Sequence, residues 1–171
     1  HGFFLWSSSN KNTLINNTAN WNTQMGIYLT DSSYNRLTNN TASDNSDDGI
    51  YLDSSSNNNL TDNTANWNTH TGINLTDSSN HNTLTNNTAS NNGDGIYLYS
   101  SNSNNLINNT ANSNTKHGIH LYSWGNNTLT SNTASNNTNY GFYLYFSDNN
   151  DLVNNTAENN AYGVHLDYAD D

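Results

Sequence analysis

Glycine followed by an apolar residue, any residue and leucine recurs at Gly2, Gly26, Gly49, Gly72, Gly95, Gly118, Gly141 and Gly163, at spacings of 24, 23, 23, 23, 23, 23 and 22 residues. A fixed period of this length means that one short structural unit is stacked on copies of itself, because no such unit can bury its apolar face alone. Inside each period a second pattern, Asn-x-Leu-x-x-Asn-x-Ala-x-x-Asn, runs from Asn12–Asn22 to Asn150–Asn160 in seven unbroken copies. Length changes of one residue fall outside these blocks, so they map to corners.

The period overrules the composition. Only 31% of the 171 residues are apolar, mean hydropathy is −0.93 and asparagine fills 42 positions, values that taken alone belong to disordered or low-complexity chains. Segments such as Ile96-Tyr97-Leu98-Tyr99 alternate with a period of two, which is strand periodicity, and no helical stripe competes with it. The reading is an all-β, single-stranded parallel β-solenoid filling residues 1–171 as one repeat domain of seven coils plus a final strand. Each coil has three short strands and three bends, and neither end carries an evident cap. Coils about 4.8 Å apart place like residues above like, so inward asparagines can bond their counterparts one coil away. Identical polar side chains thereby become internal structure.

The unit Gly-Ile-x-Leu-x-x-Ser-x-x-Asn-x-Leu-x-x-Asn-x-Ala-x-x-Asn is clearest at Gly26–Asn45 and Gly49–Asn68. It resembles the NosD-type right-handed parallel β-helix repeat, of the kind common in archaeal surface proteins and similar in architecture to pectate lyases. The resemblance covers the whole chain and implies a right-handed β-helix. The same scaffold carries lyases, glycosidases, adhesins and structural coats, so it does not fix a function. NosD-type periplasmic proteins are associated with copper delivery. With one methionine, Met25, and no cysteine, this chain does not take over that role from its repeat.

Two columns flank the inward leucine of the glycine strand. One is Phe4, Tyr28, Tyr51, Asn74, Tyr97, His120, Tyr143 and His165, the other Trp6, Thr30, Asp53, Thr76, Tyr99, Tyr122, Tyr145 and Asp167. Their aromatic members, Phe4, Trp6, Tyr28, Tyr51, Tyr97, Tyr99, Tyr122, Tyr143 and Tyr145, can stabilise the sheet as a ladder, form a lateral protein interface or stack on sugars. A threonine column, Thr18 to Thr156, raises ice binding as a minor alternative to solvated threonines with good strand propensity.

Catalytic or metal constellations are hard to find along the chain. The basic residues are Lys11, Arg36 and Lys116. Asp31, Asp53 and Asp77 fall near one corner, and Asp47, Asp48 and Asp94 near another with His70 close by, where Ca²⁺ could bind weakly. His117, His120 and His165 read as too dispersed for a metal site. No catalytic residue, no resident cofactor and no enzymatic activity are expected. Asn-x-Thr sequons at Asn16, Asn39, Asn59, Asn74, Asn86, Asn108, Asn126, Asn136 and Asn154 are candidates for glycosylation, although an Asn-Asn-Thr repeat generates them automatically.

A net charge of −11 and a pI near 4.4 exclude a nucleic-acid partner, since phosphate backbones are repelled. No apolar run is long enough to span a membrane. The expectation is an extracellular or cell-surface protein that partners itself in a layer, sheath or filament, using its aromatic face and uncapped ends. The acidic end, Asp167 to Asp171, would discourage uncontrolled edge pairing. A module that binds or processes polysaccharide is the alternative.

Overall fold

The computed structural model describes residues 1–169 as a stack of coils in which every strand pairs in parallel with its counterpart one coil away. Asp170 and Asp171, part of the acidic end just named, lie outside the described residues.

One wall is an eight-stranded sheet of β1 (Phe3–Trp6), β3 (Ile27–Thr30), β5 (Ile50–Asp53), β7 (Thr71–Thr76), β9 (Asp94–Tyr99), β11 (Ile119–Tyr122), β13 (Tyr140–Tyr145) and β15 (Tyr162–Asp167). The second wall has seven strands, β2 (Thr13–Ile15), β4 (Arg36–Thr38), β6 (Asn59–Thr61), β8 (Thr83–Thr85), β10 (Asn105–Ile107), β12 (Thr128–Thr130) and β14 (Asp151–Val153). The expected third strand shrinks to a single parallel bridge per coil, running Thr18, Thr41, Thr64, Thr88, Thr110, Thr133, Thr156. The physical reason is spacing: inward asparagines lie one residue before and four residues after each threonine, so extended chain has little room before the next bend.

Register follows the period. Ile27, Ile50, Ile73, Ile96 and Ile119 pair in one column, and Leu37, Leu60, Leu84, Leu106 and Leu129 in another. Those isoleucines and leucines, with Ala42, Ala65, Ala89, Ala111 and Ala134, have no exposed surface. Beside this narrow apolar interior run the expected amide ladders. Asn63 N–H donates to Asn87 Oδ1 at 2.9 Å, and Asn87 N–H to Asn109 Oδ1 at 2.9 Å. The Asn87 amide also donates to the Leu60 carbonyl at 2.9 Å. Parallel ladders run through Asn58, Asn82 and Asn104, and through Asn68, Asn92 and Asn114. Buried amides are tolerated because nearly all meet a partner at a fixed rung, Asn35 Nδ2 being an exception among the described residues.

The bends are not made by glycine. In the coil that begins at Gly49, the left-handed residues are Ser54, Asn57, Asp62 and Trp67, with φ between 51° and 60°, and no glycine among the described residues has positive φ. Asparagine, aspartate and serine tolerate this region through local hydrogen bonding. Glycine is needed for closeness instead: a Cβ on Gly118 would sit 2.6 Å from Ala134 Cβ and 2.7 Å from both Asn137 Nδ2 and the Gly141 carbonyl.

Candidate functional site

The outer surface of the eight-stranded wall gathers the chemically richest side chains. Alternation along each glycine strand turns its isoleucine and leucine inward and the residues beside the leucine outward, so parallel register stacks the latter. Phe4, Tyr28 and Tyr51 form one stack, with ring centroids 5.0 and 5.1 Å apart. Tyr99, Tyr122 and Tyr145 form another at 5.3 and 5.1 Å. Tyr97, His120 and Tyr143 form a third at 4.7 and 4.8 Å, flanked by the Tyr99 series. Trp6 stacks on Phe4 at 6.4 Å. Every aromatic residue expected on this face is there. Asn74 divides them into two blocks, because its coil supplies an amide where the others supply a ring.

Stacking changes what the rings can offer. A tyrosine with a ring one coil below and another one coil above presents its edge and hydroxyl outward, and its faces are largely covered. The face therefore holds polar phenol groups in rows about 4.8 Å apart, with open ring faces chiefly where a stack ends. Tyr28 and Tyr51 lean along the stack: the Tyr28 hydroxyl donates to Asp53 at 3.3 Å, and the Tyr51 hydroxyl accepts from Thr76 at 3.0 Å.

A third column runs along the residues that precede Gly49 to Gly163 of the repeat: Asp48 and Thr71, both buried, then the more open Asp94, His117, Tyr140 and Tyr162. It supplies the group that sequence reasoning missed. Asp94, His117 and His120 bring one ligand-type atom each to within 4.8 Å of one another. The His117 and His120 rings meet edge to face at 4.9 Å, and His117 stacks on Tyr140 at 5.0 Å. His117 Nδ1 and His120 Nε2 are buried and lack a hydrogen-bond partner. The reading of His117 and His120 as dispersed is thus corrected: they flank one Gly-Ile pair, and the strand directs both to the same patch. His165 lies two coils further, stacked on Tyr140 of the intervening coil at 4.8 Å.

Electrostatics follow from burial. Desolvation lowers the His117 pKa to about 4, with Lys116 adding to the effect. Desolvation, helped by His117 and Lys116, lowers His120 to about 3. Both imidazoles are neutral at pH 7. Burial raises the Asp94 carboxyl above its ordinary value, opposed by the His117 backbone N–H, which donates to it at 3.1 Å. Burial, with the Asp94 charge second, pushes Tyr97 up to about 12. The patch is a set of neutral bases, a carboxylate and phenols, able to accept or donate protons and to offer nitrogen lone pairs.

The other expected acidic groups separate. Asp47, Asp48 and His70 do cluster, with His70 Nδ1 2.7 Å from Asp47. Asp94 is not with them, because Thr71 intervenes in its column. Asp48 is spent on structure: it accepts from the Thr71 N–H and the Asn74 amide, both at 2.8 Å. Asp31, Asp53 and Asp77 form no such cluster among the described residues. The sequons Asn16, Asn39, Asn86, Asn108 and Asn154 occupy one exposed left-handed corner column, with Asn16 and Asn39 joined at 2.8 Å. Asn59, Asn126 and Asn136 are exposed elsewhere. Asn74 is the exception, half-buried with its amide held by Asp48, so it is a poor acceptor for a glycan. A cavity of about 410 Å³ at the first coil, lined by Phe3, Leu5 and Leu14 among others, is coil interior and not part of this face.

Solved structures similar to this one are carbohydrate-active enzymes. A mutant of the periplasmic alginate epimerase AlgG matches with TM-score 0.84 at 20% identity, over 99% of this chain and 46% of that one. The A-module of the Azotobacter vinelandii mannuronan C-5 epimerase AlgE4 matches with TM-score 0.73 at 18% identity, over 93% and 57%. Pectate lyase Pel9A matches with TM-score 0.57 at 19% identity, over 83% and 44%. The chain spans about half the length of these proteins. They overturn the expectation that no enzymatic activity goes with this chain: in them the same scaffold bears carbohydrate-active enzymes. The layer or filament reading has no counterpart among them. No curated protein matches the chain. Two family models do, one described as periplasmic copper-binding protein (NosD) over residues 64–171 and one as right handed beta helix region over residues 1–92. Each covers more than half of a chain whose coils, register and asparagine ladders are those of such a repeat, and the protein belongs to the NosD-type right-handed β-helix family.

Proposed function

We propose that this β-helix is a carbohydrate-processing module that lays a glycan along the outer face of its eight-stranded wall. The observation that carries the reading is the continuous field of phenol and imidazole groups over β9, β11, β13 and β15, with Asp94, His117 and His120 at its side. A flat, rigid surface with hydroxyl rows suits an extended chain of sugars, whose own hydroxyls exchange hydrogen bonds with phenols while their C–H faces cover ring edges. The similar solved enzymes, alginate epimerases and a pectate lyase, support the same substrate class.

Charge narrows the ligand. Asp53, Asp94 and Asp167 stand on this face, and the whole chain carries −11. A neutral glycan meets no repulsion, whereas an acidic one needs a bridging cation such as Ca²⁺. Acid–base work falls to the neutral imidazoles of His117 and His120 and the carboxyl of Asp94, whose proton affinities burial has moved. A location outside the cytoplasmic membrane accords with the periplasmic family description and the periplasmic epimerase, and among the described residues no helix is long and apolar enough to cross a membrane.

Calorimetric titration with neutral and acidic oligosaccharides, paired with product analysis after prolonged incubation, tests this. Tyr122→Phe removes one hydroxyl from the centre of the face and should weaken binding about 2- to 12-fold, from ~0.5–1.5 kcal/mol per hydrogen bond. Absence of binding and turnover across both glycan series by a folded protein would defeat the reading.

A further inference from the structure

A second use of the cluster comes from its two orphaned nitrogens. His117 Nδ1 and His120 Nε2 are buried with no hydrogen-bond partner, a costly state for polar groups. They belong to a set of three side chains whose ligand-type atoms lie within 4.8 Å of one another. The ladder amides at Asn63, Asn87 and Asn109 are satisfied rung by rung; the other buried side-chain atoms without a partner among the described residues, Asn35 Nδ2, Thr38 Oγ1 and Asn74 Oδ1, are amide and hydroxyl atoms, whereas the two unpartnered nitrogens belong to neighbouring imidazoles whose rings meet at 4.9 Å. We propose that Asp94, His117 and His120 form a binding site for one divalent ion of the copper–zinc class.

The donor set decides the class of ion. Two imidazole nitrogens and one carboxylate oxygen suit Cu²⁺ or Zn²⁺, whereas Ca²⁺ requires six to eight oxygens. Three protein ligands leave a position open for water or a ligand hydroxyl. The family description names copper, and the residues present fit it through nitrogen and oxygen, without the sulfur ligands that the chain lacks. Lys116 lies next to His117 in the chain and is the cation nearest in sequence. Its flexible, exposed ammonium can turn to water. The surrounding wall is rigid: His117 is stacked on Tyr140 and His120 lies between Tyr97 and Tyr143. Two successive coils deliver the ligands, Asp94 from one and the histidines from the next. The site shares the face assigned above to a glycan but does not need one.

The test uses the tag-free chain, stripped with a chelator and titrated with Cu²⁺ alone and with Zn²⁺ alone. Calorimetry should read one tight equivalent, and the Cu²⁺ electron paramagnetic resonance spectrum should show coupling to two imidazole nitrogens. His117→Tyr and His120→Tyr place at each position the residue found one coil on, Tyr140 and Tyr143, so the ladder is kept. Each should lose at least tenfold in affinity, while His70→Asn should change nothing. Oxygen-only or single-nitrogen coupling in the wild type overturns the assignment even if a variant misfolds, as does wild-type affinity in folded His117→Tyr and His120→Tyr. Metal binding without glycan binding would leave this site standing and remove only the glycan reading.

Discussion

Replacing Asn87 by leucine isolates the amide ladder from the apolar interior, since the two side chains are close in size. Asn87 Oδ1 accepts two hydrogen bonds from Asn63, from its backbone N–H at 2.9 Å and its amide at 2.9 Å. The Asn87 amide donates to the Leu60 carbonyl at 2.9 Å and to Asn109 Oδ1 at 3.0 Å. Asn87→Leu orphans the Asn63 backbone N–H and one of its two amide hydrogens, the other staying with the Leu37 carbonyl at 3.0 Å, in a position where both residues are 1% exposed. At ~1–3 kcal/mol for each buried unsatisfied group, the loss is about 2–6 kcal/mol. That is a large part of the ~5–15 kcal/mol typical of a folded domain. Denaturant unfolding followed by far-ultraviolet circular dichroism measures it, with Asn105→Thr as reference. Asn105 pairs with Thr83 and Thr128 in the neighbouring strands, so threonine there should be neutral. If Asn87→Leu matches that reference within about 0.5 kcal/mol, the ladder does not hold the coils together. A broadened transition at the substituted coil would accord with a quasi-linear stack.

Gly118→Ala should destabilise by about 1–3 kcal/mol in the same assay, because the added methyl meets Ala134, Asn137 and the Gly141 carbonyl at 2.6–2.7 Å. Acid should weaken the fold through His117 and His120. Their folded pKa values are lowered to about 4 and about 3, so below pH 6.5 the unfolded chain takes protons that the native state refuses. Stability then falls as pH drops toward 4, by at most about 1.4 kcal/mol per pH unit for each histidine. His117→Tyr should flatten that slope, and an unchanged slope would refute the assignment. Asp48 and Asp94, raised by burial, oppose this only nearer the carboxylate range, where the native state holds protons the unfolded one has released. Expression in a glycosylating host should leave Asn74 unmodified while exposed sequons such as Asn108 are modified, as glycopeptide mass spectrometry would report.

The coil, its register and its ladders were legible because a period acts on every residue at once: once Gly49 sits over Gly72, Asn63 must sit over Asn87. The third wall was less legible, since a threonine column reads the same whether it forms a strand or a single bridge. Glycine marks each coil, but it does so by admitting neighbouring backbone, and the turning falls to residues such as Asp62 and Trp67. The aromatic face was predictable from alternation. The Asp94–His117–His120 group was not, because the strand bends at glycine and brings the residue before it onto the outer face, outside simple alternation. Aligning the residues that precede each glycine would have revealed Asp94 under His117.

Because Asp94 and the two histidines come from adjoining coils, their meeting depends on which repeat follows which. Duplication or loss of a coil elsewhere lengthens or shortens the rod by one rung and leaves the trio intact. A new coil inserted between Asp94 and His117 would part them by a further ~4.8 Å, with every local sequence unchanged. An added or lost coil at other repeat boundaries leaves the three side chains together, and at this single junction it separates them.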